Sequence, residues 1–225
     1  MAVTAQEVIT AARDLHMAFT EQRNPNRLLL RQLESFKRRL THDVTNINSS
    51  VLAVVEVIDL ATFDFAAGYA FPPHVYVLPD GEVEPANELD PGDRSKFWLI
   101  GQNVRQFSRP LRSGWFIQNQ LYLNGSARDW VGMVNVHMHY VPIPTGPTAL
   151  ADTFDPFPDT VRDVLVAHVA NVMAKRGHND QSIPAINTQQ FQGDFDSAEA
   201  RFLAEQGEKK KARKIKTIDI FPGGF

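Results

Sequence analysis

Toward both ends of the chain apolar residues recur every three or four positions, and in the middle they alternate. The pattern predicts helices on either side of a β-rich segment. Residues 4 to 22 read as a helix. Thr4 and Glu7 have the spacing of a capping box, in which each side chain satisfies a first-turn backbone N–H, and Val8, Ala12, Leu15 and Phe19 form one stripe. "RNPN" interrupts the run, with Asn24 as N-cap and Pro25 in the first turn of a second helix. There Leu29, Leu33, Phe36, Leu40, Val44 and Ile47 form the apolar face, and basic residues take the remaining faces. The two helices make a hairpin.

From Val51 the period shortens. "VLAVVEVIDL" is rich in β-branched residues and predicts a buried strand, with a continuing helix as the alternative. "HVYVLPDGEVE" reads as a strand, a Pro-Asp-Gly turn and a return, and "KFWLIGQNVRQF" as a further strand. "WFIQNQLYL" reads as one strand with Trp115, Ile117, Leu121 and Leu123 on one face and Gln118, Gln120 and Tyr122 on the other. Asn124–Gly125 follows as a turn. "WVGMVNVHMHYVPIPTG" is the last strand, ended by Pro142 and Pro144, since proline donates nothing to a sheet ladder. Five to seven short, mostly antiparallel strands are expected over residues 51–144.

Helical spacing then returns. "DPFPDTVRDVLVAHVANVMAKRG" places Asp159 at its start and Lys175 and Arg176 at its end, as the helix dipole favours, with Gly177 closing it. Val161, Val164, Leu165, His168, Val172 and Met173 form its apolar face. A weaker helix with Phe202 and Leu203 is expected over 197–212. The closing "KIKTIDIFPGGF" has too little apolar content to fold alone, and its alternation suits addition of a strand to a neighbouring sheet. The expected fold class is α+β. A helical bundle (1–50 and 150–207) carries an inserted, mostly antiparallel β-domain (51–149) and an extended C-terminal arm (208–225).

Composition narrows the function. With 225 residues, 43% hydrophobic and 22% charged, the chain reads as a soluble globular protein. No run approaches the roughly 20 apolar residues of a membrane span. The opening "MAVTAQEVITAARDLHMAF" lacks a basic leader and an apolar block, so it does not read as a signal peptide. Without cysteine there are no disulfides, thiolate ligands or cysteine nucleophiles. The charge is segregated. Arg23, Arg27, Arg31, Lys37, Arg38 and Arg39 face Glu34 alone, residues 80–93 carry only acidic charge, and "EKKKARKIK" is basic. Such segregation suits contact with copies of the chain or with charged neighbours, which makes Arg27, Arg31, Lys37, Arg38 and Arg39 candidate subunit contacts. The overall pI of about 6.2 is far from that of a typical DNA binder.

His137 and His139 are the first place to look for chemistry, because residues two apart on a strand share a face and can share an ion. A catalytic metal needs a third protein ligand, and Val141-Pro142-Ile143-Pro144 follows instead. The alternation of Val134, Val136, Met138 and Tyr140 leaves Asn135, His137 and His139 on the wetter face, so the pair reads as surface or subunit-contact residues. His168 reads as a hydrogen-bonded core or interface histidine, and Trp98, Trp115 and Trp130 as β-domain packing. The chain contains no phosphate loop, no GxGxxG after a strand, no HExxH and no GxSxG. No catalytic residue, metal site or cofactor is expected, and a metal-dependent enzyme centred on the two histidines is the weakest alternative.

The order of elements, carried by "VITAARDLHMAFTEQRNPNRLLLRQLESFKRRL", "WVGMVNVHMHYVPIP" and "FPDTVRDVLVAHVANVMAKR", resembles the head-to-tail adaptor (head completion, or connector) proteins of tailed bacteriophages. The resemblance is one of arrangement over about three-quarters of the chain, with no single diagnostic residue. It implies a virion structural protein at the neck, assembled in the host cytoplasm. Such proteins form a homo-oligomeric ring, usually twelve-membered, that docks under the portal protein and extends the DNA channel. DNA passes through without sequence-specific binding, no membrane is involved, and the far side receives a stopper, nozzle or other tail protein. It further implies that the C-terminal arm reaches the portal. In this chain that arm presents Lys209, Lys210, Lys211, Arg213, Lys214, Ile218, Ile220, Phe221 and Phe225. A stopper, tail terminator or other neck protein is the nearest alternative.

Overall fold

The computed structural model describes residues 2–86, 95–100, 112–177 and 186–218, with the backbone alone described over 209–218. The fold is α+β, with four helices and one curled, mostly antiparallel sheet of seven strands. The chain divides into two compact units, one of residues 1–51 with 144–225 and one of residues 52–143.

In the first unit, α1 (Ala5–Arg13) starts at the expected capping box. Thr4 Oγ1 accepts from the Glu7 N–H at 3.2 Å and Glu7 Oε2 from the Thr4 N–H at 2.9 Å. The helix stops at Arg13, well short of residue 22. Past its Asp14 cap the chain turns, and His16 Nδ1 accepts the Ala18 N–H at 3.1 Å. Val8 and Ala12 stay in the core, and Phe19 reaches it from the turn with its ring 5.3 Å from that of Phe191. Leu15 is left 54% exposed. α2 (Asn26–Asn48) is capped at Pro25 with no side-chain bond. Asn24 does not cap it; its carbonyl instead accepts from Arg13 Nη2 at 2.9 Å. Leu29, Leu33, Phe36, Leu40 and Val44 are buried as the spacing predicts, while Ile47 is half-buried.

α3 (Val161–Gly177) packs against α1, α2 and α4 (Thr188–Ile218), so its buried surface is broader than a stripe. Val169, Ala170, Asn171 and Ala174 join it, and Val172 is only half-buried. α4 corrects two expectations. It begins nine residues before position 197, and its 31 residues run on to Ile218 where an extended arm was expected from 208. Lysine, alanine and arginine are good helix formers, so "EKKKARKIK" sustains a helix already nucleated by packed turns upstream. α2 and α4 run in the same direction, since Phe36 meets Phe195, Arg39 meets Glu199 and Asn48 meets Gln206.

The second unit holds β1 (Val54–Asp59), β2 (Tyr69–Ala70), β3 (His74–Pro85), β4 (Ser95–Leu99), β5 (Ser113–Ile117), β6 (Gln120–Leu123) and β7 (Met133–Pro142). Their order is β1-β7-β3-β4-β5-β6-β2, with only β4 and β5 parallel. β1 is an edge strand, not a buried one. Ile58 points into the core while Val55 and Val57 are 48% and 52% exposed. The Tyr69 hydroxyl of β2 donates to Glu56 Oε1 of β1 at 2.6 Å, so the sheet curls until its two edges are joined by side chains. Donation to that carboxylate holds the Tyr69 pKa up at about 12.

Two turns fall elsewhere than expected. Pro79-Asp80-Gly81 does not reverse the chain. β3 runs straight through it, and between the pairs Val77↔Tyr140 and Gly81↔Met138 three residues of β3 oppose His139 alone. This bulge accommodates a proline that cannot donate to the ladder. Gly81 is required there, because a Cβ would lie 2.4 Å from the His137 carbonyl oxygen. "WFIQNQLYL" is a hairpin rather than one strand, turning at Gln118 (φ 56°) and Asn119. The reversal changes the face parity. Leu121 and Leu123 pair with Phe116 and Gly114 on the core side, whereas Trp115 pairs with Tyr122 outside, their rings 6.0 Å apart. The core gathers Ile58, Phe71, Val83, Phe97, Leu121, Trp130, Val136, Met138 and Tyr140. Of the three tryptophans only Trp130 is fully packed; Trp98 is 43% exposed.

Candidate functional site

The paired histidines sit in the middle of β7, where its alternation sends Val136, Met138 and Tyr140 inward. Val134, expected with them, is 40% exposed near the strand's start. On the opposite face His137 lies between Val57 of β1 and Glu82 of β3. It is not on a wet face: it is only 7% exposed. Its Nε2 is 2.8 Å from Glu84 Oε2, an oxygen that also accepts from Asn135 Nδ2 at 2.9 Å. His139 is half-buried beside Val55. Among the described residues no group of three or more His, Asp or Glu side chains is placed to hold an ion. The missed residue is Glu84. Its pairing spans 53 positions, and β3 had been read as broken at Pro79, so no local signal announced it.

The basic flank of α2 divides into three environments. Arg27 and Arg31, one turn apart, are exposed and have no ion-pair partner among the described residues. Arg38 pairs with Glu34 at 2.7 Å one turn away on the surface, a geometry that contributes little stability. Arg39 pairs with Glu199 of α4 and lays its guanidinium over the rings of Phe36 (4.9 Å) and Phe195 (5.7 Å). Lys37 is not on the flank. It is buried, with Nζ 5.7 Å from the Phe154 ring, and burial lowers its pKa against the opposing pull of Asp155 and Asp152.

His168 stacks almost parallel on Phe36 with centroids 4.0 Å apart, and lies 5.5 Å from Phe195. Its buried Nε2 has no hydrogen-bond partner. Burial, with Arg39 and Lys175 nearby, brings its pKa down to about 4, and a backbone hydrogen bond at Gln32 acts weakly the other way. The imidazole is thus a neutral member of an aromatic cluster at neutral pH. Loop acids act as caps. Asp152 accepts from the Thr148 and Ala149 N–H groups at 2.7 and 2.9 Å, which keeps its pKa low.

At the start of α3 a groove of about 350 Å³ is lined by Asp159, Arg162, Asp163, Arg201, Phe202 and Glu205. Of the expected arm residues, Lys209, Lys210, Lys211, Arg213, Lys214 and Ile218 fall on the last turns of α4, their side chains outside the described residues. Ile220, Phe221 and Phe225 lie outside them altogether, as do Glu88, Asp90 and Asp93 of the acidic stretch. Among the described residues no helix is long and apolar enough to cross a membrane. No protein-family model matches the chain, and no curated protein matches it.

Proposed function

We propose that this protein is a structural subunit of a phage particle: a ring-forming head-to-tail adaptor that docks under the portal, extends the DNA channel and receives a tail-side protein. The observation that carries the reading is the order of its parts. A helical unit formed from both chain ends is interrupted by one curled β unit and finishes in a helix of 31 residues with a lysine-rich end. Helices from both ends fold here as one bundle, which supplies the platform, and the segment beyond Glu208 serves as the portal-binding arm. The role is assembly, with no bond made or broken. The contents of the most conspicuous polar spots favour it over catalysis. His137 is occupied by Glu84, and His168 is stacked among aromatic rings.

The arm assignment has a direct test. Deleting residues 209–225 removes nothing upstream of Gly207, whose backbone packs on Ile47. The truncated protein is expected to fold with unchanged melting behaviour and to lose co-sedimentation with portal rings. Retained portal binding would show that the arm lies elsewhere.

A further inference from the structure

The helical unit carries opposite charges on separate faces. On α2, Arg27 and Arg31 stand exposed without an ion-pair partner, and Arg23 is exposed just before the helix. The acid that might have neutralised this end, Glu34, is taken by Arg38. On another face, the groove at the start of α3 gathers Asp159, Asp163 and Glu205 against Arg162 and Arg201, with buried Phe202 on its floor. Exposed Glu208 follows one turn beyond Glu205 on α4. The one ion pair in this groove, Arg201 with Asp163, is long at 3.5 Å and about 70% exposed on both sides, so it is easily exchanged.

We infer that the groove receives the exposed face of α2 from a second copy of this chain, with Arg27 and Arg31 of one subunit meeting Asp163 and Glu205 of the next. The inference rests on the ring-forming reading and names the surfaces that close the ring. Arg27 and Arg31 are one helical turn apart, about 6 Å, a spacing that two carboxylates on facing helices can match. The two surfaces are different patches of one subunit, so the contact is heterologous, the type that generates rings. α2 and α4 run in the same direction, and Arg27 lies near one end of that pair while Glu205 lies near the other. Neighbours must therefore pack inclined to one another rather than level. Arginine suits the task because its planar fork bonds a carboxylate through two N–H groups at once.

Charge reversal tests the contact. The full-length variants Arg27→Glu/Arg31→Glu and Asp163→Arg/Glu205→Arg alter exposed or rim positions, and thermal melting verifies that each folds. Each is expected to lose rings by negative-stain imaging and sedimentation, with self-association weakened about tenfold or more. The protein carrying all four changes is expected to regain them. Persistence of rings in either double variant, or failure of the folded fourfold variant to reassemble, would overturn this contact and leave the ring reading standing. Absence of rings from the unaltered protein, alone and with portal, would instead remove the ring reading itself.

Discussion

At pH 7 the His168 imidazole is neutral, because protonation would place a charge against Phe36 and Phe195 with Arg39 and Lys175 close by. In the unfolded chain the same group titrates near 6.5, against about 4 in the fold. Its contribution to stability is therefore complete above pH 6.5 and is lost as pH falls toward 4, where the unfolded state binds a proton that the folded state resists. The loss amounts to roughly 3 kcal/mol at most. His168→Phe, which keeps a ring on Phe36, should flatten the difference. Urea unfolding of the two proteins between pH 7 and 4 should show curves that diverge as the pH falls, and parallel curves would contradict the assignment. His168 was legible as a buried residue from its place on the apolar stripe. Its aromatic partners come from α2 and α4, far away in sequence, and no spacing announces them. Lys37 shows the opposite failure. Grouped by sequence with Arg38 and Arg39, it falls on the buried side of α2, where its alkyl stem packs and its ammonium meets Phe154.

Among the elements, helices were read well wherever one face decides the packing, as along α2. Their ends were read poorly, because α1 stops where a turn competes with the next residues for hydrogen bonds and α4 continues on propensity alone. In the sheet, the pattern of apolar residues marked the strands but not their turns. "PDG" has the composition of a tight turn, yet in β3 it is a bulge pressed against β7, whereas the unremarkable "QN" makes the hairpin. The deciding fact is a backbone approach invisible in sequence, the His137 carbonyl 2.4 Å from where a Gly81 Cβ would stand. Gly81→Val should thus cost about 3 kcal/mol or more in chemical denaturation, since neither backbone has room to move without breaking the ladder. A turn at this position would tolerate the change far better, so a loss below about 1 kcal/mol would contradict the bulge. His137 was misplaced through the same error, because only an unbroken β3 brings Glu84 beside it.

For the whole molecule, the alternation of helical and β grammar made the α+β class legible, and the charge runs made association plausible before any surface was known. What sequence could not supply was which charges are already spent inside the subunit. Glu34 and Glu199 neutralise Arg38 and Arg39, leaving Arg27 and Arg31 as the basic contacts that a neighbour can use. The central claim is that subunits join in a closed ring on a portal. Electron microscopy of the full-length protein, alone and mixed with portal rings, tests it most directly. The account predicts closed rings with an open channel, seated coaxially on one end of the portal. Monomers that never join the portal at any concentration tried, or a catalytically active monomer, would contradict it.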